Sequence, residues 1–342
     1  MKNNNIILIL IVFLLGGCMR SVQYSKTNQI KDGKYDSEYP IQPVSDELEK
    51  ILQTVKMVSV LSYYNNYTFP LESKVTKEII QNDNFEDKAD HKYFLNQPAT
   101  GTATVIYYQN RKVGLITCAH ILDFPDTVFA YYQNSMGQPS KIVSSVTIKT
   151  RQANNVIELP DIDDFEIIAM NTELDLAFIG KDLEVNPSFP IPVFNYKIGA
   201  AEELQWGTHV YLFGYPRGKK MVSSCITSKP GDKNFLIDAA LPRGISGGLV
   251  VAVRDGIPNF EIVGMANAIS AEKKQYLAPK RMEDQSEYDI QTPFTEDAYI
   301  RLHEEIYYGV THAISIETII AFLNNNESKL KAKGYYIDRL FY

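Results

Sequence analysis

Three polar residues, each set in an apolar or glycine-rich frame, could do chemistry together. They are His120 in Ile116-Thr117-Cys118-Ala119-His120, Asp175 in Leu174-Asp175-Leu176-Ala177-Phe178-Ile179, and Ser246 in Gly244-Ile245-Ser246-Gly247-Gly248. A serine hydroxyl is a poor nucleophile until a neighbouring imidazole takes its proton, and a carboxylate then holds that imidazole in the working tautomer. Histidine, aspartate and serine are therefore the parts of an acyl-transfer site. Taken singly, each has a plain structural reading: a strand-end histidine, a turn aspartate, a tight glycine bend. The ordered set carries the chemical reading. No Cys/His spacing resembles a metal site, and the five histidines are scattered at 91, 120, 209, 303 and 312. No metal or cofactor is expected, and His209 and His312, single histidines within strand patterns, read as structural.

The elements that must position these residues are mostly strands. Thr102 to Tyr108 and Val113 to Thr117 flank a Gln109-Asn110-Arg111-Lys112 turn, which is a hairpin signal. Val58 to Tyr64 reads as a strand before them. Further short apolar runs follow at 142–148, 165–170, 176–179, 210–213, 235–237, 249–253, 262–268 and 310–316. Many short strands without long helical patterns between them predict an antiparallel barrel or sandwich. Ser45-Asp46-Glu47 followed by Leu48, Ile51, Leu52 and Val55 predicts a short N-terminal helix capped by Ser45. A closing helix is expected from about Ser315, with Ile319, Ile320, Phe322 and Leu323 on its apolar face. Residues 70–97 and 271–304 are charged and irregular, and read as insertions. With 342 residues, 45% hydrophobic and 22% charged, the chain can bury a large core and is not a disordered composition. A net charge of −7 argues against a nucleic-acid partner.

The flanks make the reading specific. Thr117-Cys118-Ala119-His120, Asp175-Leu176-Ala177 and Gly244-x-Ser246-Gly247-Gly248 resemble the three catalytic stretches of trypsin-like serine proteases. The run Asp238-Ala239-Ala240-Leu241-Pro242-Arg243 into Gly244, and Gly214-Tyr215-Pro216-Arg217-Gly218 upstream, are similar to the bacterial Deg/HtrA-type group. The resemblance covers roughly residues 56–326, with no PDZ module expected after it. It implies an all-β fold of two antiparallel six-stranded barrels. It also implies His120 as general base and then acid, Asp175 as its orienting carboxylate, and Ser246 as nucleophile. The backbone N–H groups of Gly244 and Ser246 would form the oxyanion hole. In the same pattern Ala240 lies at the base of the specificity pocket, so a small or medium apolar residue is expected before the cleaved bond. Asp238 reads as a pocket-wall or loop-structuring residue.

Ile245 departs from the family, which places aspartate or asparagine there. Its presence keeps open a second reading, a silent or conditionally active protease-like binding or chaperone module. Gly244-x-Ser246-x-Gly248 also fits the nucleophile elbow of α/β-hydrolases, which would need Asp255 or Glu261 and then His303 or His312. Those enzymes alternate strands with long helices, and the region before Ser246 has none.

The first seventeen residues read as a targeting segment. Lys2 precedes an apolar run from Ile6 to Leu15, too short to span a bilayer, and Leu15-Gly16-Gly17-Cys18 follows. This resembles a bacterial lipobox, implying cleavage before Cys18 and lipidation of it. Residues 18–44, polar with Pro40 and Pro43, read as a tether, leaving 45–342 as the protease domain. The expected location is exported and lipid-anchored. Met19, rather than aspartate, favours the outer membrane or cell surface. The expected partners are polypeptide substrates and, through the lipid, a membrane. Cys118 and Cys225 are expected to be free thiols.

Overall fold

The structure, a computed structural model, describes residues 31–39, 42–82, 84–134, 138–159, 164–184, 186–229, 233–239, 242–279 and 298–337, with side chains left out at 229, 268–279 and 298–308. The expected signal segment 1–17, Cys18, the first part of the tether, Ala240 and the middle of the second insertion lie outside these residues.

The chain is mostly β, folded as two barrel-like sheets, antiparallel except where β8 joins β13, with few helices. Helix α1 (Ser45–Thr54) leads directly into β1 (Val55–Thr68), and Val44 rather than Ser45 occupies the N-cap position. Along β1, Val58, Val60, Ser62 and Tyr64 alternate inward, the period-2 pattern of a half-buried strand. The next strands are β2 (His91–Gln109), β3 (Lys112–Thr117), β4 (Thr127–Gln133), β5 (Pro139–Val156), β6 (Glu166–Asn171) and β7 (Leu176–Asp182). The first sheet runs β4-β5-β1-β2-β3-β7-β6 and stays open, a half-barrel. Across its gap Phe165 N–H donates to the Asn154 carbonyl at 2.9 Å. The β2–β3 hairpin turns through Asn110 and Arg111, both at positive φ (51° and 65°), which matches the twist of a two-residue hairpin loop.

The second sheet contains β8 (Lys197–Ile198), β9 (His209–Gly214), β10 (Met221–Lys229), β11 (Asn234–Ile237), β12 (Gly248–Val253), β13 (Phe260–Pro279) and β14 (Ala298–Ser315). Its order β12-β9-β10-β11-β14-β13-β8, with β12 also paired to β13, closes a six-stranded barrel. β13 and β14 continue past the barrel as a paired arm, Ala271↔Ile306 to Pro279↔Ala298, so the described edges of the second insertion are hairpin backbone.

The first insertion is also structured. Residues 71–88 form short helical turns, including α2 (Lys77–Asn82), over a separate small core of Tyr67, Phe69, Val75, Ile80, Val143 and Val146. Its last residues, from His91 on, belong to β2 and pair with β1 along their whole length. The sequence hides this because the outer half of β2 has no buried face: residues 91–98 are all exposed.

Both ends of the described residues dock on the barrels. Tyr35 lies 8% exposed, its hydroxyl donating to Glu261 Oε2 at 2.9 Å while Arg254 sits 4.0 Å over its ring. Asp36 N–H donates to Val253 O, and His209 N–H to Asp36 O, both at 2.9 Å. At the other end, α3 (Ile316–Asn325) is capped by Ser315 and buries Ile316, Ile319, Phe322 and Leu323, and α4 (Glu327–Ala332) follows it. Tyr335 then returns to the first sheet, edge-on to Tyr107 and Phe178 at 5.3 Å each. Among the described residues no helix is long and apolar enough to cross a membrane.

Candidate active site

β3 and β7 are neighbours, with Thr117 opposite Ala177. His120 lies three residues beyond one and Asp175 two residues before the other, so both leave the same end of this ladder. His120 sits on a single 3-10 turn (Ala119–Ile121), and Asp175 closes the β6–β7 turn at φ 55°. Aspartate tolerates that left-handed conformation better than most side chains, and Asn171 supports the turn by accepting from Leu174 N–H at 2.9 Å. The Asp175 carboxylate meets His120 twice: Nδ1 lies 2.8 Å from Oδ2 and 3.0 Å from Oδ1, and His120 N–H donates to Oδ1 at 2.9 Å. Ala119 N–H also donates to the Asp175 carbonyl. The imidazole is thereby fixed at Nδ1, and its other nitrogen is left on a half-exposed edge (side chain 50% accessible).

Cys118 lies on the buried side of this pair. Burial pushes its thiol well above the usual range, and the Asp175 carboxylate pushes it further. Ligand-type atoms of Cys118, His120 and Asp175 lie within 4.8 Å of one another. A buried thiol held neutral is a poor metal ligand, so the cluster reads as the packed underside of the histidine–aspartate pair. Cys118 and Cys225 are both free and buried.

Ser246 comes from the second barrel, on the turn entering β12. Its backbone carbonyl accepts Thr102 N–H at 2.7 Å, from β2 of the first sheet. The Thr102 hydroxyl donates to Gly244 O at 2.8 Å and accepts Tyr215 N–H at 2.9 Å, while the Thr102 carbonyl accepts the Thr117 hydroxyl at 2.6 Å. One buried threonine thus ties the serine loop to the Gly214-Tyr215 turn and to the strand that carries His120. The loop is closed further by Gly247 N–H to Ala266 O and Gly248 N–H to Ile245 O, both at 2.7 Å. Gly244 and Gly247 have φ of 102° and 85°, and a Cβ on either would overlap a backbone carbonyl, Tyr215 O or Thr102 O respectively. Only glycine fits both positions. Among the described residues no hydrogen bond joins the Ser246 hydroxyl to His120; such bonds are often long without substrate.

Ile245, the departure from the family pattern, is 2% exposed and packs against Gly214 beside Thr102. The loop is anchored at this position by burial of an aliphatic side chain rather than by a polar contact.

The strand topology leaves the α/β-hydrolase alternative without its alternating helices. Both of its candidate acids are committed elsewhere, Asp255 accepting Gly33 N–H at 2.7 Å and Glu261 bonded to Tyr35 and Arg254. His303 lies where side chains are left out, and His312 stands on β14 opposite Leu236. His209 donates or accepts at Nε2 with Ser224 (2.7 Å), and burial lowers its pKa from the usual imidazole value. Asp238 is exposed beside Cys225, whose thiol is pushed up to about 11 by burial first and then by that carboxylate.

No protein-family model and no curated protein matches the chain. Among solved structures it is similar to a thermostable serine protease AL20 from an extremophilic microorganism, with 10% identity and a TM-score of 0.39 over 82% of this chain and 99% of that one. It is also similar to a structure described as "Structure of GrC", with 10% identity and a TM-score of 0.30 over 78% of this chain and 94% of that one. The two-barrel assignment rests on the strand pairing given above.

Sequence reasoning picked out His120, Asp175, Gly244 and Ser246 but missed Thr102. Its only local signal was a threonine on an inward strand position next to a glycine.

Two substitutions test this construction. Thr102→Val keeps the shape but leaves Gly244 O and Tyr215 N–H buried without a partner, at a cost of about 1–3 kcal/mol in urea denaturation, whereas Thr102→Ser should lose less. Ile245→Asp places an unpaired carboxylate in the core and should cost roughly 3–5 kcal/mol by the same measurement, with Ile245→Leu losing less than about 1.5 kcal/mol.

Proposed function

We propose that this chain is a serine endopeptidase that hydrolyses peptide bonds through an acyl-enzyme. The observation that carries the reading is the histidine–aspartate pair, Nδ1 to carboxylate at 2.8 Å, held next to a serine loop whose backbone is fixed by Thr102. Asp175 orients His120 and stabilises the imidazolium; His120 takes the Ser246 proton as Oγ attacks the carbonyl carbon, then gives it to the leaving amine. The N–H groups of Gly244 and Ser246 receive the developing oxyanion. The positive φ of Gly244 supports that role, and one such donor is worth about 3–4 kcal/mol in a comparable enzyme. Water, deprotonated by His120, then releases the acyl group and restores the serine.

The proposed substrate is a polypeptide with a small or medium apolar residue before the scissile bond, from the neutral Ala240. The proposed setting is the outer face of a bacterial membrane, with lipid on Cys18 and residues 18–30 as the span between lipid and the docked segment around Tyr35. The aliphatic Ile245, buried in the serine loop, keeps one second reading, a protease-like binding or chaperone module that is silent or only conditionally active.

A fluorophosphonate applied to the purified chain, followed by intact mass, separates the two. One adduct, absent in Ser246→Ala, is expected; a folded sample that takes none moves the silent-module reading ahead. For the anchor, radiolabelled palmitate fed to expressing bacterial cells should enter the protein and be lost in Cys18→Ala, whereas equal labelling of both would refute lipidation at that residue.

A further inference from the structure

Nearest the catalytic loop, β2 changes character. At Ala103 and Thr104 it is paired on both sides, with β1 and β3, and beyond them with β3 alone. Before that it pairs only with β1, in an unbroken register from Val55↔Thr104 to Thr68↔His91. In an antiparallel ladder, alternate residues point both N–H and C=O away from the partner. Thr102 is one of these, since its N–H reaches Ser246 O across the barrel interface. The even-numbered residues Thr100, Pro98, Asn96, Phe94 and Lys92 therefore present their backbone groups on the same outward edge. Pro98 agrees with that phase, because proline is tolerated only where the strand's N–H is not needed by a neighbour. Among the described residues nothing pairs with this edge.

An open edge is ordinarily blunted, and Lys92 and Pro98 are residues of that kind. The aromatic content is not. Phe94 is 81% exposed, Tyr93 49%, Leu95 46% and Tyr63 37%. Phe94, Leu95 and Tyr63 line a groove of about 540 Å³ together with Thr150 and Arg151 of β5. A cluster of large exposed apolar side chains next to unpaired strand edge is a signature of peptide capture, with main-chain bonds supplying affinity and side-chain pockets supplying selectivity.

We propose that the β2 edge from Phe94 to Thr100 receives the leaving-group side of a polypeptide substrate as an added antiparallel strand, with an apolar substrate side chain seated in the Phe94–Tyr63 groove. This deepens the serine endopeptidase reading and rests on it for the identity of the occupant. The edge is continuous with the nucleophile loop through the Thr102–Ser246 bond. A chain leaving Ser246 outward runs opposite to β2, which arrives inward, so the pairing is antiparallel. From Thr100 to Phe94 is about 20 Å at 3.3 Å per residue. The groove therefore reads a residue roughly eight positions beyond the cleaved bond, and substrates must be extended or locally unfolded there. Phe94 and Asn96 would touch only that distant part of a long substrate and lie outside the catalytic site.

The test uses two peptides sharing an Ala-Ala-Val core, followed by either three residues or ten alternating Thr and Leu. Binding of the fluorescein-labelled long peptide is read by anisotropy on full-length Ser246→Ala, and cleavage of both peptides on the active chain. Two variants probe the edge: Phe94→Ser removes the aromatic wall, and Asn96→Pro removes one outward N–H while leaving the β1 ladder intact. The long peptide should bind, and each variant should weaken it about tenfold, raising KM for the long peptide alone. Fluorophosphonate labelling and short-peptide cleavage should not change in either variant. No binding of the long peptide, or affinity in both variants unchanged from the parent, overturns the proposal. Absence of fluorophosphonate labelling with binding retained and lost in the variants would instead refute the catalytic reading and leave the peptide edge standing.

Discussion

The backbone and hydroxyl of Thr102 carry the junction on which the candidate site depends. Its N–H, hydroxyl and carbonyl are all used, toward Ser246, Gly244, Tyr215 and Thr117, and the residue is fully buried. In water each of these groups would be satisfied without any folding. In the interior each unmade bond would carry its full desolvation cost, so a fold that buries Thr102 must supply all four contacts. That requirement fixes the distance between a serine carried by one sheet and a histidine carried by the other. Gly247 sits so close to the Thr102 carbonyl that no larger residue fits, which makes the junction tight as well as polar.

Around this junction the loop is stabilised by apolar packing. Ile245 points into the core against Gly214, a glycine whose missing side chain makes the space. An aliphatic anchor needs no partner charge and no processed chain end, so the loop's conformation is a property of the folded barrel itself. The histidine–aspartate pair has the opposite character. It is polar, half accessible on the histidine side, and rests on a buried thiol that stays neutral. A neutral, apolar floor beneath a carboxylate leaves His120 as the nearest group able to share its charge.

The segments around Tyr35 and Tyr335 and the first insertion extend this plan outward. Tyr35, Arg254 and Glu261 clamp the N-terminal segment on the closed barrel, while Tyr335 reaches the open one. The separate core around Phe69 and Val143 supports the far ends of β1 and β5, and so keeps the long β1–β2 ribbon extended past the serine loop. An open first sheet with a projecting ribbon offers an edge that a pair of closed barrels would lack.

The sequence by itself determined the residues with chemical potential, the strand-rich class and the closing helix, because each leaves a local mark. His120, Asp175 and Ser246 stand out as single polar residues in apolar or glycine frames, and the hairpin and helix follow from short periodicities. The outer half of β2 left no such mark, since a strand exposed on every residue has no alternation to read. Thr102 and Ile245 were decided only by tertiary structure. The bond from the Thr102 hydroxyl to Gly244 joins positions 142 residues apart, and no local pattern encodes a partner at that separation. The same holds for the docking of Tyr35 on Glu261: a polar segment reads as solvated until the fold supplies buried groups that need its hydrogen bonds.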